Sequence, residues 1–172
     1  EEAFKSLQIF TAIFDSFSHG ANDISNSAGF LATIFVIYKN RGILTEDSEL
    51  GTDAYWILSL GGFGIVVGLA LYGYKIMRAM GVKLCAITPT RGVSIELASA
   101  IVIIIGSRLG IPLSTTHCQV GATMGVAALE DIKTCGGLNC AIVGKTFLGW
   151  ILTLLVAGGT AALLVSYSVY AP

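Results

Sequence analysis

Long apolar stretches run along most of the chain, and polar clusters interrupt two of them. Predominantly apolar residues occupy 54–77, 93–111 and 141–170. A helix needs about 20 such residues to cross about 30 Å of hydrocarbon, so each stretch predicts a membrane-spanning helix. Two further apolar stretches, 4–38 and 113–129, contain polar clusters and predict interrupted elements.

The stretch 54–77 is the clearest of the predicted spans. It has no charged residue before Lys75 and is rich in glycine. Gly64 and Gly68 form a GxxxG pattern, which favours close packing between helices in lipid.

The first polar cluster, residues 19–30, reads HGANDISNSAGF and lies in the middle of an apolar stretch that is too long for one span. Where the chain leaves a helix inside lipid, its backbone N–H and C=O groups must form hydrogen bonds with protein, water or ligand. We therefore predict a helix break at GAND that lines a cavity. A half-helix beyond the break would place Asn22 with Asn26, and Asp23 with Ser27, on shared faces.

The second polar cluster, GIPLSTTH, follows the helix predicted over 93–111. Pro112 ends that helix, and three hydroxyl residues stand where a new helix would be capped. The segment 113–129 is too short and too polar to span comfortably, so we predict a re-entrant arm that folds back against the preceding helix. The three hydroxyl residues are Ser114, Thr115 and Thr116.

Two helix N-termini that face each other near the bilayer midplane can hold an anion. A helix N-terminus carries about half a positive charge and binds oxyanions, while nearby acidic side chains and unwound carbonyls take a coupling cation. Phosphate suits a site of hydroxyls, amides and N–H groups because it offers four oxygens to them. Asp23 repels phosphate, and so we expect it to accept a proton or to ligate sodium.

The composition supports a membrane protein with an all-α fold. The 172 residues are 54% hydrophobic and 12% charged, whereas soluble domains are about 45–50% apolar and about 25% charged. The net charge of −1 provides no basic surface for nucleic acid. The four cysteines form no CxxC pair, which argues against a zinc site or a disulfide framework.

Two long motifs resemble those of a known family. HGANDISNSAG together with RGVSIELASAIVIIIGSRLGIPLSTTHCQVG resembles the PiT-type inorganic phosphate transporters, which are sodium- or proton-coupled phosphate symporters. The likeness covers nearly the whole chain and is to the C-terminal half of the family. Members carry both motifs twice, in two inverted-topology repeats with one site between them. The resemblance implies a bundle of transmembrane helices with discontinuous and re-entrant helices, in a multi-pass protein of the plasma membrane.

The resemblance also implies roles for individual residues. No cofactor and no metal beyond sodium is expected, and the choice between sodium and proton coupling stays open. Asp15 departs from the family pattern, which has a small neutral residue there. Five residues would line the phosphate site: Asn22, Asp23, Ser114, Thr115 and Thr116. Four would serve the coupling cation: Asp23, Ser25, Asn26 and Glu96.

A single copy of each motif would form one half of such a site. We therefore expect residues 1–172 to be the C-terminal repeat of a longer polypeptide, or else one of two copies in a homodimer. The expected partners are inorganic phosphate, the lipid bilayer and the missing N-terminal repeat, with no nucleic acid among them.

Two other functions compete with transport. The first is a noncatalytic membrane assembly or receptor module, in which the polar residues would only form hydrogen bonds between helices. An intramembrane hydrolase would use Ser114 as nucleophile, His117 as base and Asp23 to orient the base. Ser114 and His117 are only three residues apart, however, and the chain has no GxSxG elbow. We expect a transporter and not an enzyme, with His19 and His117 as structural histidines that orient neighbouring segments.

Overall fold

The structure, a computed structural model, describes residues 1–42, 51–83, 87–130 and 140–171. These ranges contain helices and turns but no strand, which confirms the predicted all-α class. A short 3₁₀ turn, Thr52–Ala54, precedes α2, and a π-helical segment, Leu69–Gly73, joins α2 to α3. The helices are α1 (Glu2–Lys39), α2 (Tyr55–Gly68), α3 (Tyr74–Lys83), α4 (Pro89–Arg108), α5 (Thr115–Glu130) and α6 (Cys140–Tyr170).

Three helical segments in the described ranges are long and apolar enough to cross a membrane. They agree with the three uninterrupted spans that the sequence predicts. Large apolar side chains of these segments point away from the rest of the described chain, as Leu154 does at 75% exposure, which suits a helix surrounded by lipid. The three segments are Tyr55–Arg78, Pro89–Arg108 and Cys140–Tyr170.

α1 continues through the first polar cluster without a break. It contains 38 residues, which makes it about 57 Å long. The predicted break at GAND is therefore wrong, and Gly20 has ordinary helical geometry with open space at its β-carbon position. The physical reason is that side chains supply the polar groups of this region. The helix keeps its own backbone hydrogen bonds, so no backbone N–H groups are released at Asn22.

α1 and α4 pack side by side and run parallel. Thr11 donates a hydrogen bond to Glu96 near one end of the contact, and Ser107 donates one to Asn22 near the other. Because residue numbers rise together along this contact, the two helices run in the same direction. The buried polar residues of α1 recur every three or four positions, which places them on one helix face. They are Thr11, Asp15, Ser18 and Asn22.

The last third of α1 packs against α2 through small residues. Ala28 and Ala32 form a buried cluster with Ile57. A β-carbon at Gly61 would lie only 2.8 Å from the β-carbon of Ala28, so the two helices approach most closely there. The close contact that the GxxxG pattern predicts stays a prediction. Within the described chain a β-carbon at either residue of that pattern, Gly64 or Gly68, meets no atom within 4 Å.

We expect Gly61→Ala to destabilise the protein, because an added methyl group would force α1 and α2 apart. Overpacking of this kind costs about 1–3 kcal/mol. The measurement is the thermal unfolding midpoint of the full-length protein in detergent. Gly64→Ala is the matched control on the same helix, and it should leave the midpoint unchanged or raise it. Equal effects of the two substitutions would contradict the packing described here.

A tight turn joins α4 to α5, as Gly110 and Pro112 predict. α4 ends at Arg108, and Gly110 adopts a left-handed conformation with φ of 69°, which glycine tolerates without strain. α5 begins at Thr115 and folds back against α4, in agreement with the predicted arm. The turn carries the second polar cluster to the side of α1.

Candidate functional site

The turn between α4 and α5 is held to α1 by two asparagine side chains. Nδ2 of Asn22 donates a hydrogen bond of 2.9 Å to the main-chain carbonyl of Leu113, and Nδ2 of Asn26 donates one of 3.0 Å to the same oxygen. The Ser107 hydroxyl donates to Oδ1 of Asn22 at 3.1 Å. The shared face of Asn22 and Asn26 is therefore confirmed.

Asp23 brings the two polar motifs into direct contact. The Thr115 hydroxyl lies 3.2 Å from Oδ1 and 3.4 Å from Oδ2 of this carboxylate, to which it donates. Both residues are half-buried. A carboxylate on α1 thus faces the first turn of α5.

The first turn of α5 presents the hydroxyl residues of the second motif. The Ser114 hydroxyl oxygen accepts a hydrogen bond of 3.4 Å from the backbone N–H of His117, so Ser114 caps the helix as predicted. Ser114 and Thr116 are exposed, whereas Thr115 is half-buried against Asp23. The N–H groups of this turn point along the helix axis and carry partial positive charge. This helix end combines hydroxyl donors with a field that favours an anion.

Ser25 lies on a different side of α1 from Asp23. Residues two positions apart on an unbroken helix project about 160° apart. Ser25 lines a groove of about 260 Å³ between α1 and α4, together with Asn22, Ser107 and Arg108. Ser25 and Asp23 therefore project from different sides of α1.

Glu96 also lies apart from the two motifs. Its half-buried carboxylate accepts a hydrogen bond from the Thr11 hydroxyl. Glu96 precedes Ser107 by eleven residues on α4, which corresponds to about 16 Å along the helix. The structure does not bring Glu96 to the contact between Asp23 and Thr115.

His19 joins α1 to α4 between these two positions. Its Nε2 lies 2.9 Å from the Ser99 hydroxyl and 3.1 Å from Oδ1 of Asp15. Asp15 and Ser99 are buried. The imidazole is thus a polar neighbour of a buried carboxylate. This geometry agrees with a structural histidine.

The hydrolase hypothesis requires the imidazole of His117 to activate Ser114. The ring of His117 instead stacks on the indole of Trp150, with ring centroids 3.7 Å apart. The Ser114 hydroxyl is engaged by the backbone N–H of His117 and not by the ring. A nucleophile and its base must lie within hydrogen-bond reach of each other, and this pair is not so arranged.

Sequence reasoning missed several groups that hold the site together. The Leu113 carbonyl has no sequence signal, because it is a main-chain atom of a residue that looks purely apolar. Thr11 and Ser18 carry a signal in their spacing from Asn22, which places all three on one face of a continuous helix. That pattern favours an unbroken polar face over a helix break.

Sequence comparisons relate the chain to phosphate transporters. A sequence model of the phosphate transporter family matches residues 1–161. The chain is 38% identical over 159 residues to sodium-dependent phosphate transporter 1 of Rattus norvegicus, covering 92% of this chain and 22% of that one. It is 41% identical over 155 residues to sodium-dependent phosphate transporter 2 of Xenopus tropicalis, covering 90% and 23%. The human transporter 2 is 38% identical over 167 residues, covering 97% and 24%.

A solved structure described as the sodium-dependent phosphate transporter has a similar fold. It matches with a TM-score of 0.72 and 34% identity, covering 88% of this chain and 36% of that one. The chain thus spans less than a quarter of the length of these three relatives.

Proposed function

We propose, since this chain belongs to the phosphate transporter family, that it forms part of a symporter that moves inorganic phosphate across a membrane together with sodium. The observation that carries the proposal is the contact between Asp23 and Thr115, which joins a carboxylate to an anion-favouring helix end. The three apolar spans among the described residues and the family make the chain part of an integral membrane protein. We propose the plasma membrane as its location.

Phosphate would bind at the N-terminal turn of α5. The hydroxyls there donate hydrogen bonds, and the helix end adds partial positive charge without a permanent cation that would slow release. Asn22 would shape the site by fixing the turn that precedes α5, since its Nδ2 donates to Leu113. Three hydroxyls would contact the anion: Ser114, Thr115 and Thr116.

Sodium would bind at Asp23, beside the anion. Carboxylate and amide oxygens suit hard cations, and Oδ1 of Asn26 is an available acceptor because Nδ2 is the atom that donates to Leu113. The Thr115 hydroxyl now donates to Asp23, whose charge also repels phosphate. Sodium would neutralise that charge and free the hydroxyl for phosphate, which couples the two ions. Glu96 and Ser25 lie elsewhere, and their roles as cation contacts stay predictions.

The second half of the site would come from the N-terminal repeat of the same polypeptide. Ser114 and Thr116 are exposed on the described chain, so their hydroxyls can face the residues that form the other half of the site. Inverted repeats commonly place one substrate site at the interface between their two halves. A second copy of this chain is the alternative source of that second half.

Uptake of labelled phosphate by the full-length protein in liposomes tests the proposal. We expect accumulation that requires an inward sodium gradient and stops when the gradient is dissipated. An assembly or receptor module would insert into the membrane but would neither bind nor accumulate phosphate. Labelling of Ser114 by a fluorophosphonate would instead support the hydrolase hypothesis.

Thr115→Val should lower the ratio of maximal uptake rate to phosphate KM about 10-fold to 100-fold. Valine keeps the shape of threonine but removes the hydroxyl, and a hydrogen bond to a charged group contributes about 1.5–3 kcal/mol. Uptake measured over a range of phosphate concentrations gives the ratio.

Two further variants control for this substitution. Thr115→Ser restores the hydroxyl and should recover most of the activity. Thr33→Val removes the hydroxyl of an exposed threonine that donates to the Gly29 carbonyl of its own helix, and it should transport normally. Wild-type kinetics in Thr115→Val would show that the Thr115 hydroxyl does not contact phosphate.

A further inference from the structure

α6 approaches the rest of the described chain through an aromatic cluster beside the proposed site. None of its residues from Cys140 to Tyr170 is buried. The Trp150 indole stacks on the His117 imidazole, with centroids 3.7 Å apart and an angle of 20° between the planes. Phe147 packs edge-on against the same indole at 4.8 Å. The stack of Trp150 on His117 therefore joins α6 to α5.

The stacked histidine belongs to the helix turn that presents the hydroxyls. The backbone N–H of His117 is the donor to the capping oxygen of Ser114. Thr115, two residues before His117, donates a hydrogen bond to Asp23 of α1. The first turn of α5 is thus held by α1 through Asp23 and contacted by α6 through Trp150.

We propose that Trp150 is a positioning residue that fixes the first turn of α5 for phosphate binding, an inference that rests on the proposed function. Among the described residues no hydrogen bond joins the indole to a hydroxyl, and it acts through the ring of His117. A flat stack restricts rotation of the imidazole and of the helix turn that carries it. The hydroxyls of Ser114 and Thr115 are thereby held in a fixed arrangement before phosphate arrives.

This arrangement also predicts how movement of α6 would affect the site. Because α6 has no buried residue, its packing on α5 depends on the aromatic contact more than on a tightly packed interface. A displacement of α6 would separate the indole from the imidazole and release the capped turn. Phosphate affinity would therefore respond to the position of α6, whereas the sodium position at Asp23, on α1, would not.

Phosphate uptake by the full-length protein in liposomes separates positioning from folding. Trp150→Leu should raise the phosphate KM about threefold to tenfold, the size expected from loss of one aromatic pair. The maximal rate and the sodium KM should change less than about twofold. The thermal unfolding midpoint should change by no more than a few degrees. Trp150→Phe keeps an aromatic face and should restore most of the phosphate affinity. Trp56→Leu replaces the other tryptophan, which packs against Phe35, and should leave uptake unchanged.

A double-mutant cycle tests whether Trp150 acts through His117. If it does, His117→Ala should raise the phosphate KM by a similar factor. The phosphate KM of the double variant should then be no higher than that of the single variant with the higher KM. Multiplicative effects of the two substitutions would overturn the proposed route.

The outcomes also distinguish this inference from the proposed function. Absence of sodium-driven phosphate uptake in the wild-type protein would refute the function itself. Normal uptake in the wild type, with an unchanged phosphate KM in Trp150→Leu, would refute only the positioning role. A fall in maximal rate and unfolding midpoint without a specific change in phosphate KM would show that Trp150 serves folding alone, which also overturns the proposal.

Discussion

Asp23→Asn should reduce sodium-dependent phosphate uptake at least about 100-fold. Asparagine keeps the size of aspartate and can still accept a hydrogen bond from Thr115, but it carries no charge to attract sodium. Loss of an ionised partner costs about 3 kcal/mol or more, which corresponds to about two orders of magnitude. Initial uptake rates at several sodium concentrations measure the effect. The residual uptake should no longer respond to sodium.

Phosphate binding without sodium provides a sharper test of the same residue. The carboxylate of Asp23 repels the anion when no cation is present, so Asp23→Asn should bind phosphate at least as tightly as the wild-type protein under sodium-free conditions. Glu2→Gln removes an exposed carboxylate that pairs with Lys5 at 2.6 Å, and it should transport normally. Sodium-stimulated uptake that stays within about twofold of wild type in Asp23→Asn would rule out the proposed coupling site.

Local signals in the sequence predict those parts of the fold that local chemistry determines. Apolar length predicts the three spans, because the thickness of the bilayer fixes the number of residues required. Gly110 and Pro112 predict the turn after α4, since one adopts positive φ and the other lacks a backbone N–H. Ser114 predicts the cap of α5 in the same way.

The break at GAND fails as a prediction because sequence shows polar residues without showing which atoms they satisfy. Asn22 and Asn26 use their side-chain amides, so the α1 backbone stays helical. Their common acceptor is the main-chain carbonyl of Leu113, whose position depends on the turn at Gly110. No residue type identifies such an acceptor in advance.

The grouping of the cation residues also depended on information that the sequence lacks. Asp23, Ser25 and Asn26 are close in sequence, yet a continuous helix directs Ser25 away from Asp23. Glu96 bonds to Thr11 because α1 and α4 are parallel and in this register. The distance between Glu96 and the phosphate motif follows from helix packing and cannot be obtained from either motif alone.

Asn22→Asp should destabilise the contact between α1 and the turn that precedes α5. Asn22 is 5% exposed, and its Nδ2 donates to the Leu113 carbonyl at 2.9 Å. Aspartate of the same shape would place a carboxylate oxygen against that carbonyl oxygen, and neither atom is a donor. A buried acceptor without a partner costs about 1–3 kcal/mol, and a buried charge costs more. We expect a lower thermal unfolding midpoint of the full-length protein and a fall in phosphate uptake.

Asn26→Asp is the matched control for this substitution, because it changes the second donor to the same carbonyl. Asn26 is exposed on the described chain, so a new charge there is not buried against the turn, and Asn22 still donates to the Leu113 carbonyl. The unfolding midpoint should therefore fall much less in Asn26→Asp than in Asn22→Asp. Asn22→Ser, which is uncharged, should lie between them, because it removes the amide donor without burying a charge. If all three variants unfolded at one temperature, burial of Asn22 against the turn would not be what holds the phosphate-binding helix end in place.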